Sequence, residues 1–255
     1  MTHLSVNVNK IALLRNQRDL GIPSVVGLSR AALDASAQGV TVHPRPDERH
    51  VRPHDVTDLA ELLDESAYRD RGCELNIEGN PFEGKYPEHV ALARPTQCTL
   101  VPDDPNQATS DHGWDVAENL TRLKAVVGDL KAVGCRVSLF MDADPVQIQL
   151  VPETGAERIE LYTEPYAKAF GEGGDALESS LQRFRDAAEH AHALGLGVNA
   201  GHDLNLDNLG RFLAEVPHVL EVSIGHALTA EALDLGMKAT IERYLSVIDE
   251  ASAVH

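Results

Sequence analysis

Two imidazoles, two guanidiniums and two prolines fall together in His43-Pro44-Arg45-Pro46-Asp47-Glu48-Arg49-His50. Each proline fixes its own φ and restricts the residue before it, so this loop is stiff. A stiff loop that holds imidazoles beside guanidiniums suits proton transfer next to a bound anion. A solvated basic loop is the plainer alternative, and the loop alone does not choose between them. Other groups fit for acid–base work or substrate orientation stand at Asn7, Asn9, Glu78, Asp142, Glu160, His202 and His226. His43 alone reads equally well as a satisfied core histidine. Glu160 reads equally well as the buried partner of an Arg or Lys. Glu78 is harder to explain that way, because a carboxylate ending an apolar strand is costly unless paired or used.

The elements behind these residues share one pattern. Short apolar or alternating stretches predict strands over 4–9, 39–43, 73–78, 97–102, 136–142, 158–163, 197–202 and 220–226. Between them, helical spacing predicts helices over 24–39, 55–66, 87–93, 115–133, 145–153, 175–195, 205–215 and 229–248. Ser24 suits an N-cap, Gly39 a C′ position, and Asp175 with Glu178 a capping box. Eight strands alternating with eight helices, with no linker, predict one α/β domain over 1–255, a closed (β/α)₈ TIM barrel. An open doubly wound sheet would want a Gly-rich dinucleotide turn after its first strand, and none is present. In a barrel the residues singled out above sit at the C-terminal ends of strands, where barrel enzymes place their chemistry. The turns at Gly201-His202 and Gly225-His226 follow strands seven and eight, the usual phosphate-binding position. The polar stretch 103–113 is long enough to be a lid.

At 255 residues and 43% apolar, the chain supports one large core. The net charge of −18 argues against nucleic acid or an anionic membrane as partner. Residues 1–52 nevertheless carry seven Lys or Arg against four Asp or Glu, a local excess able to hold small anions. No apolar run reaches membrane-spanning length, and no signal-peptide pattern opens the chain. Cys73, Cys98 and Cys135 are far apart, each in or beside a predicted strand, and read as reduced thiols of a cytoplasmic protein. His190-Ala191-His192 has H-x-H spacing, but residues two apart on a predicted helix do not share a face, and no H-E-x-x-H is present.

The segments Asn7 to Arg18, Thr41 to His50, Asn76-Ile77-Glu78, Leu100-Val101-Pro102, Val137 to Asp144, Val198 to His202 and Ile224-Gly225-His226, taken in order, resemble the pyridoxine 5′-phosphate synthase family. The resemblance covers nearly the whole chain. It implies a (β/α)₈ barrel with additional helices, a cytoplasmic homo-octamer, and no metal or organic cofactor. The implied reaction condenses 1-deoxy-D-xylulose 5-phosphate with 3-amino-2-oxopropyl phosphate, giving pyridoxine 5′-phosphate, phosphate and water. Carried over by position, His43 and Glu78 are general bases, His202 is the proton donor, and Glu160 supports the transition state. Asn7, Arg18, Gly225 and His226 match the aminoketone phosphate site. Arg45, His50 and Thr109 match the deoxyxylulose phosphate site, and 103–113 matches the lid.

The chain departs from the commoner pattern where it reads Asn9-Lys10 for Asp-His and Asp203 for Gly. Asn9 is expected to orient a hydroxyl and Lys10 to meet phosphate as a point charge. Asp203 is expected to offer its backbone N–H with its carboxylate turned away. Two other readings stay open on sequence alone: a metal-dependent sugar-phosphate isomerase or epimerase, and a non-catalytic phosphometabolite-binding barrel.

Overall fold

Strand one sets the rule for the others. In Leu4-Ser5-Val6-Asn7 the apolar residues face one way and the polar residues the other, since side chains alternate along a strand. The computed structural model of the chain describes residues 2–107 and 109–253. It contains eight strands: β1 His3–Asn7, β2 Gly39–Val42, β3 Glu74–Gly79, β4 Gln97–Leu100, β5 Arg136–Met141, β6 Arg158–Tyr162, β7 Gly197–Gly201 and β8 Val219–Ile224. All pair in parallel in chain order, and β8 returns to β1 to close the barrel.

The apolar set of each strand lies under the surrounding helices. Leu4, Val6, Val40, Val42, Ile77, Leu100, Leu139, Ile159 and Val198 are all fully buried there. At about 1.5–3 kcal/mol for each large side chain removed from water, this shell between barrel and helices is the main stabilising layer. The opposite set fills the barrel interior, and it is polar. Ser5 bonds Thr41 (2.7 Å), Asn76 donates to Thr41 (3.3 Å), and Thr99 donates to Asn76 (3.1 Å). Lower in the barrel, Gln97 on β4 reaches across to Glu221 on β8 (3.1 Å) and accepts from Asn199 on β7 (3.3 Å). Arg136 and Arg158 close this floor, with Arg158 3.5 Å from Glu221. Such a column is stable only because its members satisfy one another.

The predicted strands all appear, with corrections at the edges. Asn9 does not end a strand. β1 stops at Asn7, whose Oδ1 accepts the Asn9 N–H (3.1 Å), and a helix Asn9–Arg15 begins at once. Ser24 caps the helix Val25–Asp34 as expected, accepting from Gly27 N (3.0 Å). That helix ends at Asp34, so Gly39 is not its C′ residue but the first residue of β2, packed tightly on Ser5. The helix Gly174–Ala193 has no side-chain cap, so the Asp175–Glu178 capping box does not form. The single helix predicted over 229–248 breaks at Gly236, whose φ of +79° divides His226–Leu235 from Met237–Ser252. Counting short segments such as Ser66–Arg69 and Glu164–Glu172, thirteen helices rather than eight occur among the described residues. Only Cys98 lies within a strand; Cys73 and Cys135 stand one residue ahead of theirs, and all three are free. No helix among the described residues is long and apolar enough to cross a membrane.

Candidate active site

The C-terminal strand ends surround a cavity of about 440 Å³. Of the residues singled out above, His43, Glu78, Glu160 and His202 line it, with Asn7, Asn9, Lys10, Arg45, His50, Thr109, Asp203, Gly225 and His226. Arg18 does not. The helix Asn9–Arg15 ends before it, and Arg18 lies exposed in the following turn. The buried arginine of this segment is Arg15, paired with Asp55 and donating to His50 O (3.3 Å). Asn16 also donates to His50 O (2.7 Å), so Arg15 and Asn16 together brace the 43–50 loop. Asp142 is exposed at the end of β5 and is not part of the cavity wall.

The asparagines of the first motif act as supports. Asn9 Oδ1 accepts the His43 N–H (2.9 Å) and fixes the backbone where β2 ends. Asn7 Nδ2 donates to Glu78 Oε2 (3.3 Å). His43 Nδ1 lies 3.9 Å from the same Glu78 oxygen. Burial, followed by the charges of Arg45, His50 and Arg49, holds the His43 pKa well below the usual imidazole range. His43 is therefore a neutral base. Burial, with Asp103 second, pushes Glu78 up to about 8. Glu160 also rises well above its ordinary range, through burial and then the nearby Glu78 and Glu221. Its Oε2 lies 3.4 Å from the Thr99 hydroxyl, and a Cβ at Gly201 would collide with its Oε1. That collision explains glycine at Gly201 better than a left-handed turn does.

The left-handed residues are instead His202 (φ +90°) and Asp203 (φ +60°). Non-glycine residues rarely adopt this conformation, and here Thr163 holds it, its backbone N–H donating to Gly201 O (3.0 Å) and its hydroxyl to His202 O (2.5 Å). The Asp203 carboxylate is taken up by its neighbour His202. It lines the cavity and meets His202 Nδ1 (3.1 Å), and that contact holds its pKa below the usual range. His202 Nε2 meets Thr109 Oγ1 of the lid loop (2.9 Å). His202 thus stands between an orienting carboxylate and a lid hydroxyl.

Two parts of the rim suit anions. On the first, Arg45 and Arg49 both donate to Gln107 O (2.9 Å each), while His50 Nδ1 accepts from Val51 N (2.9 Å). Burial and nearby cations lower His50 to about 4, so it stays neutral with Nε2 as an N–H donor. On the second, Gly225 and His226 open the helix His226–Leu235 towards the cavity, with Lys10 on the same wall. A Cβ at Gly225 would press on Asn7 at 3.1 Å.

Three parts of the wall escaped the sequence reading. Ser223 donates towards Glu78 Oε1 (3.5 Å). Ser110 of the lid loop donates to Asp103 (2.8 Å). Val101 and Phe140 bring an apolar side to the cavity and, with Tyr162, form a small cluster apart from the main core. Ser223 and Phe140 were visible as inward positions of strands, two residues from Gly225 and Asp142. Among the described residues, no group of three or more His, Cys, Asp or Glu side chains is arranged to hold a metal.

A sequence model of the family described as "Pyridoxal phosphate biosynthesis protein PdxJ" matches residues 4–250. The chain belongs to this family. A "Pyridoxine 5'-phosphate synthase" of Albidiferax ferrireducens is 52% identical over 258 residues, covering 97% of each chain. Proteins of the same name from Xanthomonas campestris pv. campestris and Brucella anthropi are 53% and 50% identical, over 97% and 96% of this chain and 96% and 98% of theirs. Among solved structures, a 3-keto-L-gulonate-6-phosphate decarboxylase from Vibrio cholerae superposes with a TM-score of 0.64 at 9% identity, over 100% of this chain and 99% of that one. At that identity the likeness concerns the barrel alone. Within the PdxJ family, then, this member builds its cavity with Asn9, Lys10 and Asp203 on the wall.

Proposed function

We propose that the chain is a pyridoxine 5′-phosphate synthase that joins 1-deoxy-D-xylulose 5-phosphate to 3-amino-2-oxopropyl phosphate. The products are pyridoxine 5′-phosphate, phosphate and water. One observation carries the reading: His43, Glu78, Glu160 and His202 converge from four strands in one cavity whose rim offers two places for anions. The reaction needs proton transfers on nitrogen, oxygen and carbon, and two phosphates held apart from them.

Arg45, His50 and Thr109 receive the deoxyxylulose phosphate. The Gly225-His226 N–H groups, with Lys10, receive the aminoketone phosphate. Schiff-base formation requires a free amine, and an α-amino group titrates near ~8. Glu78, raised to about 8, is matched to it, so a proton crosses between them at little cost. Neutral His43 takes the protons removed as the ring closes. His202, oriented by Asp203, protonates departing oxygen. Glu160 supports the cationic stages. Val101 and Phe140 exclude water from the apolar face of the forming ring.

We further place the enzyme in the cytoplasm as a homo-oligomer, the octamer implied by the family. Leu14, Leu20 and Ile22, which flank Arg18 in sequence, are 48, 59 and 66% exposed. Light scattering on the purified protein tests the assembly. The activity is tested with EDTA-treated protein and both substrates, reading pyridoxine 5′-phosphate by absorbance and mass. Product is expected. Binding of both substrates without product would overturn the proposal.

A further inference from the structure

Asp103 has no role in the scheme above, yet it is among the most constrained side chains near the cavity. It follows β4 at the start of the lid loop and is 4% exposed. Its backbone carbonyl accepts from Asn80 Nδ2 (3.0 Å). Its Oδ2 accepts from the Arg45 guanidinium and from Ser110 Oγ (2.8 Å), and lies 4.0 Å from His43 Nε2. Its Oδ1 has no hydrogen-bond partner among the described residues. One carboxylate oxygen thus joins the lid to an arginine and faces the cluster of acid–base groups.

We propose that Asp103 is a positioning residue that couples closure of the lid to the pose of Arg45 and holds a negative charge beside the His43–Glu78 pair. The proposal rests on the reading of Arg45 as a ligand of the deoxyxylulose phosphate. An arginine side chain loses several rotamers on binding. Asp103 on one nitrogen and Gln107 O on another fix that rotamer before substrate arrives. Ser110 of the loop reaches the same Oδ2 (2.8 Å), so the lid and the arginine share one anchor. A lid that lifts weakens the hold on Arg45, and an arginine drawn aside weakens the lid.

The charge has a separate effect. The ionisable groups around Glu78 are Asp103, Glu221, Glu160, His43 and Arg45. Those around Asp103 are Arg45, Glu78, His43, His112 and Asp111; burial raises its own pKa, and the Ser110 hydrogen bond and the Arg45 charge oppose that rise. Asp103 opposes ionisation of Glu78, so neutralising it makes Glu78 a stronger acid.

Asp103→Asn keeps the shape and removes the charge, whereas Ser110→Ala keeps the charge and loosens the lid. Steady-state kinetics with each substrate, from pH 6 to 9, separate the two effects. For Asp103→Asn we expect KM for the deoxyxylulose phosphate to rise about tenfold, the difference between a charged and a neutral acceptor, and KM for the aminoketone to change less than ~2-fold. The acid limb of kcat/KM should move to lower pH. Ser110→Ala should raise KM for the same substrate and leave the limb in place. Equal changes in both KM values, or an unmoved limb in Asp103→Asn, would overturn the proposal. Hydrogen exchange of the lid amides needs no substrate, and both variants should exchange faster there than the parent protein. Unchanged exchange would remove the lid coupling even if the parent made no product, an outcome that would count against the proposed reaction and not against Asp103. If Asp103→Asn fails to fold, Ser110→Ala decides the lid coupling by itself.

Discussion

Replacing Glu78 by Gln should abolish turnover and at the same time make the protein more stable near neutral pH. In the folded chain the carboxyl titrates at about 8 against an ordinary value near 4.5. At pH 7 the unfolded chain ionises it and the folded chain keeps it protonated. A gap of roughly two and a half pH units, at ~1.4 kcal/mol each, sets the cost at no more than ~3.5 kcal/mol. Glutamine has no carboxyl proton to lose, retains the shape, and can accept from Asn7 with its oxygen while its NH2 donates to Ser223 Oγ. The sign follows from the raised folded-state value. Glu78 leaves stability untouched below about 4.5 and subtracts from it progressively until about 8. Denaturant unfolding of both proteins from pH 4 to 9 should show equal stabilities at the acid end. Glu78→Gln should gain steadily above it, with a Tm higher by ~7–14 °C for a chain of this size. The depressed carboxylates, such as Asp203, act alike in both proteins and cancel. A gap that does not change with pH would refute the buried, raised carboxyl. A variant that still turns over would refute its catalytic role, since such groups are typically worth ~10²–10⁴-fold in rate.

Arg45→Ala should raise KM for the deoxyxylulose phosphate far more than for the aminoketone; equal effects would mean that it is not a dedicated phosphate ligand. Gly201→Ala places a methyl group against Glu160 Oε1 and should lower kcat by ~10²-fold or more, with circular dichroism still reporting the native fold. Asp203→Gly suits the φ of +60° and should change stability by less than ~1 kcal/mol while turnover falls about tenfold, because His202 loses its orienting carboxylate. A kcat unaffected by this change would show that the His202–Asp203 contact has no part in the reaction.

The strand ends were legible because an apolar run that stops at a His or Glu marks both the strand and its exit towards the site. His43 and Glu78 have this form, whereas Glu160 stands in the middle of β6 between Ile159 and Leu161 and is inward by alternation. Asn9 was misplaced for a local reason. An Asx bond from Asn7 turns the chain into a helix two residues early, and periodicity cannot register one hydrogen bond. Arg18 lies outside this chain's cavity because position along the chain does not give reach once Arg15 has been drawn inward to Asp55. Ser223, Phe140 and Asp103 could not be ranked from the sequence, since their importance lies in partners 145, 22 and 58 residues away or joined only by closure of the barrel. The polar interior was written in every strand as alternation. It becomes meaningful only when the sheet closes and those faces meet.

The pairing of β1 with β8 sets a timetable for the nascent chain. Ser5 faces Ser223 across this seam, and Thr2 Oγ1 donates to Val219 O (2.7 Å). At typical synthesis rates of 5–20 residues per second, β1 waits roughly 10–40 s for its second neighbour. Until then it is an open strand edge, the kind of surface that attracts chaperones or other chains. The same late segment carries Ser223, Gly225 and His226, so the ribosome delivers one wall of the cavity last. A chain released before β8 has both an unguarded edge and an incomplete cavity wall.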